Sequence, residues 1–106
     1  MKLFLHVSKD EQRKRLLERL EDPTKNWKFR AGDLEDRDRW NAYTAAYRDA
    51  LSRCSTRWAP WYVVPGDRKA ARDYLVAQLL LDTLKRMSPR YPEADPEVLK
   101  YRKRLR

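Results

Sequence analysis

Seven cations stand where an anionic ligand could be gripped: Lys9, Lys25, Lys28, Arg30, Arg37, Lys69 and Arg72. Four of them share one segment, in which Asn26-Trp27-Lys28-Phe29 lies between the breaker Asp22-Pro23 and the helix-start signal Gly32-Asp33. Cations, an aromatic pair and a hinge side by side suit a mobile clamp on a polyanion. The other three fall beside two short loops, Ser8-Lys9 and Pro65-Gly66-Asp67-Arg68-Lys69, each of which follows an apolar run. The chemistry open to such groups is charge neutralisation. Phosphoryl transfer asks little covalent work of a protein, but positioned cations and Mg²⁺ must neutralise the charge spread over the moving group, in a site that a lid can close. Any one of these side chains alone reads first as a solvated surface charge, and it is their clustering that singles them out. Trp27 and Phe29 read as a small lid core, and their faces could also stack a base.

Other chemistries find little support. Gly32 and Gly66 are the only glycines, so no G-x-x-x-x-G-K-[ST] loop can cradle a triphosphate. His6 is the sole histidine and sits in an apolar run, which predicts a packed core residue. Cys54 is the sole cysteine, cannot make an internal disulfide, and is expected to be a buried thiol on a helix face. No Cys/His metal cluster and no Ser/His/Asp set can be assembled. Asp67 could touch Mg²⁺, but its position ahead of a helical pattern predicts an N-cap.

The elements that must hold these residues follow from the apolar pattern. Leu3 to Val7 is nearly continuous and apolar, as in a strand buried on both faces of a parallel sheet. Ser8, with Glu11 three residues later, forms a capping box, and the helix it opens runs through Leu16, Leu17 and Leu20 until Pro23 stops it. From Asp33, the spacing of Trp40, Tyr43, Thr44, Tyr47, Leu51 and Cys54 predicts one long amphipathic helix. Trp61 to Val64 is a second short strand, closed by Pro65-Gly66. The next helix is apolar nearly all round from Tyr74 to Leu81, which predicts burial. Prolines at 89, 92 and 96 break the pattern before a basic end that reads as a solvated tail. An α/β order with a long crossover predicts parallel strands, with ligands bound beyond their carboxyl ends.

Lys and Arg number 25 against 16 acids, a formal charge of +9, which selects polyanions as the partner class. No apolar run approaches the roughly 18 residues of a membrane span, and a cytoplasmic setting fits.

Several separated motifs, in order, give this chain a specific likeness. They are Phe4-Leu5-His6-Val7-Ser8-Lys9 with Glu11-Gln12, then Arg19-Leu20-Glu21-Asp22-Pro23 with Lys25, then Trp27-Lys28-Phe29 followed by Asp33 and Arg37. Trp58-Ala59-Pro60-Trp61-Tyr62-Val63-Val64-Pro65 and the Asp67-x-Lys69 pair complete the set. Over residues 2 to 92 the chain resembles the C-terminal part of the family-2 polyphosphate kinases. That resemblance implies a partial P-loop-kinase-like three-layer α/β fold, with two parallel strands, a helical lid insertion and long flanking helices. Residues 1–92 would be the C-terminal half of such a domain, with the lid at about 22–40, and 93–106 a basic tail.

The activity implied is phosphoryl transfer between inorganic polyphosphate and ADP, AMP or other nucleotides, with Mg²⁺. Lys28 and Arg37 carry over first as phosphate contacts, Lys69 and Arg72 second, with Lys25, Arg30 and Lys9 as further cations. The family's Walker A and Walker B segments have no counterpart here, so the main Mg²⁺ ligands are expected outside the chain and the chain alone is expected to be inactive. Arg30 stands where many relatives have Ser, and Ala70-Ala71 where they have aromatics. A twice-buried strand needs neighbours on both sides, which predicts an exposed apolar sheet edge and a truncated product, a pairing with a separate N-terminal half, or a homo-oligomer. The alternatives are a non-enzymatic basic protein that binds nucleic acid or another polyanion, and a degenerate gene remnant.

Overall fold

In the computed structural model, two parallel strands form the centre. β1 (Lys2–His6) lies against β2 (Trp61–Pro65), in register from Lys2 opposite Trp61 to His6 opposite Pro65. Between them run α1 (Lys9–Glu21), a 3₁₀ turn (Asn26–Lys28), α2 (Gly32–Asp38) and α3 (Trp40–Arg53). α4 (Lys69–Met87) packs back on β2, and α5 (Pro96–Lys100) with a 3₁₀ turn (Tyr101–Arg104) ends the chain. The parallel pair and the α/β order are those expected.

Local signals account for most boundaries. Ser8 Oγ accepts the Glu11 N–H at 3.1 Å and so satisfies one of the free amides that open α1. At the other end, Asp22 precedes Pro23 and turns the chain by accepting the Thr24 N–H and hydroxyl at 2.9 and 2.7 Å. α4 stops at Ser88, the one residue in the left-handed region (φ 45°, ψ 54°), whose N–H closes onto Leu84 and Lys85 carbonyls.

Five expectations are corrected. The long helix from Asp33 is two helices that break at Arg39; α2 is tied to α1 by Arg37, whereas α3 is tied to β1 by Tyr47, whose ring lies 4.5 Å from that of Phe4. Asp33 lies inside the first turn of α2, not ahead of it, and accepts the Arg30 N–H at 3.2 Å. α4 is exposed along its apolar face, with Tyr74 68% and Leu80 48% accessible, because its main packing is on the narrow strand β2. His6 is exposed, since the space between β1 and α3 beside it stays open. Cys54 is exposed as well, where α3 ends and its carbonyl accepts the Lys2 ammonium at 2.6 Å.

What these elements lack is a core. Leu16 and Val64 are the only buried apolar side chains. The radius of gyration is 22.1 Å, against about 13 Å for a compact domain of this length. Each strand has one edge with no neighbour, and Leu5 and Val63 are about half exposed, which is the open apolar sheet expected. On that side a cleft of about 700 Å³ separates β1 from α3, lined by Phe4, Leu5, Trp40, Tyr47, Leu51 and Val63 among others. No helix is long and apolar enough to cross a membrane.

Candidate functional site

The carboxyl ends of the two strands are laced into one unit. The Gly66 N–H donates to the His6 carbonyl at 2.7 Å, one step beyond the strand ladder. Asp67 Oδ1 accepts the Ser8 N–H at 2.7 Å. Asp67 is therefore not the N-cap of α4, whose start at Lys69 has no side-chain cap; its carboxylate serves the first loop instead. The capping box at Ser8 is half realised for the same reason: Glu11 turns away to Arg15, and Asp67 takes the amide it would have bonded. Arg15 completes the junction, donating from Nε to Glu11 at 2.8 Å and from Nη2 to the carbonyls of Gly66 and Asp67 at 2.8 and 3.0 Å. The two loops that carry Lys9 and Lys69 are thus held together.

The segment after α1 doubles back along it. Asn26 Nδ2 donates to the Arg19 and Leu20 carbonyls at 2.9 and 2.6 Å, anchoring the 3₁₀ turn at the far end of α1. Arg19 lies 3.8 Å from Asp33. Arg37 then reaches the start of α1, where its Nη1 donates to the Lys9 carbonyl at 2.7 Å and to Gln12 Oε1 at 3.0 Å. By this path a residue 28 positions from Lys9 arrives at the sheet's carboxyl end.

The predicted cations are therefore differently placed. Lys9 and Arg37 come together at the start of α1. Lys25 is ion-paired with Glu18 and lies 3.2 Å from Asp22, whereas Lys69 stands at the first turn of α4 without an ion pair. Arg72 is turned to its neighbour Asp73 at 2.7 Å. Lys28 rests 5.2 Å from the ring centre of Trp27, and Trp27 is exposed, so the aromatic pair does not form a closed lid core. Arg30 is exposed, with Asp33 3.9 Å away. Sequence reasoning missed Arg15; its position four residues after Glu11 was the only available signal.

The carboxylates at this edge do not suit a metal ion. No three His, Cys, Asp or Glu side chains gather anywhere in the chain, and Asp67, Glu11, Glu18 and Asp22 each already accept from a protein donor. No metal-dependent step can be derived from these residues.

Hydrogen bonds tune several groups. The Lys25 ammonium holds Glu18 below the usual carboxylate range, and in turn Glu18 and Asp22 raise Lys25. Asp22 is lowered mainly by the Thr24 hydroxyl, and Tyr43 is raised by its bond to Asp36. Asp67 is lowered, first by the Ser8 backbone N–H. A depressed carboxylate contributes stability that is present above its unfolded value of about 3.9 and is lost as pH falls through its lower folded value. The Ser8 amide resonance should accordingly shift as acid is added below that range. Asp67→Asn, which keeps an acceptor but cannot titrate, should abolish the shift, and a shift unchanged in that variant would assign it to another group.

Comparison with known proteins follows the same outline. The family model described as Polyphosphate kinase 2 matches residues 1–92. The chain is 50% identical over 95 residues to an AMP/ADP-polyphosphate phosphotransferase of Meiothermus ruber, covering 90% of this chain and 36% of that protein. It is 46% identical over 109 residues to an ADP-polyphosphate phosphotransferase of Rhodopseudomonas palustris, covering 99% and 38%. Among solved structures it resembles a Polyphosphate Kinase 2 from Arthrobacter aurescens TC1, with a TM-score of 0.84 at 45% identity, over 98% of this chain and 37% of that one. The chain thus spans little more than a third of the length of each of these three relatives.

Proposed function

Since the chain belongs to the polyphosphate kinase 2 family, we propose that it forms the lid and C-terminal half of a polyphosphate-dependent nucleotide phosphotransferase. The observation that carries this reading is the joined cationic edge: Ser8-Lys9 and Gly66-to-Lys69 bound to each other by the 2.7 Å bond from Ser8 to Asp67, with Arg37 brought in from α2. In this reading Lys9, Lys69 and the free nitrogens of Arg37 face the polyphosphate or the nucleotide's phosphates. Residues of about 22–40 act as the lid, with Lys28, Arg30 and Lys25 on its anionic-ligand side and Arg72 behind Lys69, while 93–106 form a basic tail. The cations neutralise charge as the phosphoryl group moves, which is most of what such a reaction asks of a protein.

Mg²⁺ would be held by residues outside 1–106, because the carboxylates here are otherwise engaged. The open sheet edge and the cleft beside α3 support a partner that completes the fold, either the phosphate-loop half of the family domain or a second copy of this chain. Without it the chain should form no ATP from ADP and polyphosphate.

Binding tests the reading before turnover does. Labelled long-chain polyphosphate should bind the chain in a salt-dependent way and resist competition by RNA at equal phosphate concentration. Lys9→Ala with Lys69→Ala should weaken binding and flatten the log–log salt slope by about 0.7 for each ammonium removed, the single-strand polyanion value. Adding the phosphate-loop half of a relative, with ADP and Mg²⁺, should then yield ATP. Preference for RNA would point instead to a nucleic-acid-binding protein.

A further inference from the structure

Arg15 bridges three groups at the site's base, yet the proposed chemistry makes no use of it. It is four-fifths buried, with a side-chain accessibility of 21%, and lies one turn after Glu11 on α1. Its Nε donates to Glu11 Oε1 at 2.8 Å, and its Nη2 is shared between the carbonyls of Gly66 and Asp67 at 2.8 and 3.0 Å. Those carbonyls belong to consecutive residues, at the point where β2 becomes the loop before α4. On its other side the same loop is held by the Gly66 N–H on His6 and by the Asp67 carboxylate on Ser8. The planar fork of an arginine can serve a carboxylate and two carbonyls at once; a lysine ammonium on a flexible stem cannot hold all three in fixed geometry. Two residues beyond Asp67 stands Lys69, and Arg72 follows in the same helical turn.

Resting on the phosphotransferase reading above, we infer that Arg15 is a positioning residue. It holds Gly66-Asp67-Arg68 so that Lys69 stays on the edge shared with Lys9 and Arg37, and it does not itself touch phosphate. Glu11 fixes the guanidinium, the guanidinium fixes the loop, and the loop aims the first turn of α4. Removing a charge-assisted donor of this type leaves two carbonyls and a carboxylate without their partner.

The full 106-residue chain provides the test, with Arg15→Gln, Arg15→Lys, the Lys69→Ala/Arg72→Ala pair, and Arg15→Gln combined with that pair. Two quantities are read: affinity for labelled long-chain inorganic polyphosphate, and hydrogen exchange at the Ser8 and Gly66 amides. Arg15→Gln is expected to weaken polyphosphate binding about tenfold and to speed exchange at both amides about tenfold, the scale of one charge-assisted bond. In the Lys69/Arg72 background it should weaken binding no further, since its effect passes through those residues. Arg15→Lys, which keeps the charge, should recover little of either, and it serves in place of Arg15→Gln if that variant fails to fold.

Additive losses in the combined variant, or full recovery by lysine, would mean that Arg15 acts through its own charge on the ligand and would overturn the inference. Unchanged exchange at Ser8 and Gly66 would overturn it too. If no variant, wild type included, binds polyphosphate, the phosphotransferase reading falls while faster exchange in Arg15→Gln still upholds the loop-holding role.

Discussion

Leu16→Ala is expected to abolish cooperative unfolding of this chain. Truncating a buried leucine costs about 2–5 kcal/mol, the transfer energy of the missing atoms plus the cavity left behind. An ordinary domain has about 5–15 kcal/mol to lose. Here Leu16 and Val64 are the only buried apolar side chains, and the radius of gyration of 22.1 Å leaves little other packing to compensate. Leu16 lies in the middle of α1, so its loss frees the helix that carries both Arg15 and the Arg19 and Leu20 carbonyls that anchor Asn26. Thermal melting followed by circular dichroism should become broad and shallow. Leu20→Ala, on the same helix but 51% exposed, should move the melt little, as surface changes usually stay within about 0.5 kcal/mol. Equal effects from the two would show that α1 is not held by Leu16.

Gly66→Ala is expected to part the ends of the two strands. A Cβ at this position would lie 2.7 Å from Val7 Cγ2 and 3.1 Å from the His6 carbonyl oxygen. The backbone is not in the left-handed region, so the penalty is steric, and overpacking of this kind costs about 1–3 kcal/mol. The bonds at risk are the 2.7 Å bond to His6 and the one from Arg15 to the Gly66 carbonyl. Faster exchange of the Ser8 amide and a lower urea midpoint would report the separation, and weaker polyphosphate binding should accompany them if the joined edge is the phosphate site. Gly32→Ala makes the control: nothing lies within 4 Å of its would-be Cβ, and at the exposed first position of α2 the change should stay within about 0.5 kcal/mol. A Gly66→Ala chain as stable as the wild type would mean that Val7 and β1 yield freely.

These two substitutions probe one property from opposite ends. The chain keeps its site geometry through a few polar bonds between loops and through one leucine and one valine, not through a filled interior. That is why the open cleft between β1 and α3 bears on the site: until it is covered, both cationic loops rest on a sheet with two free edges.

How much is readable in advance depends on the range of the interaction. Ser8 as a cap, Pro23 as a stop and the two strands are legible, because each is set by a neighbour within a few residues or by an apolar run, and the parallel pairing follows from the α/β order with its long crossover. The clustering of cations is legible too, since charge is written residue by residue. The apolar surroundings of His6, Cys54 and α4 in sequence suggest burial, yet all three are exposed because burial needs a second surface, which nothing in the chain supplies.

By itself, then, the amino-acid sequence determined the strands, α1 and α4, the basic character and the family likeness carried by Trp27-Lys28-Phe29 and Trp61 to Pro65. Only the tertiary structure decided which cations meet. Arg37 reaches Lys9 because the segment after α1 doubles back along it, Asp67 turns from the α4 start to bond Ser8 59 residues away, and Arg15 finds the Gly66 carbonyl 51 residues on. Such pairings depend on where a crossover returns the chain, and no local spacing encodes that distance.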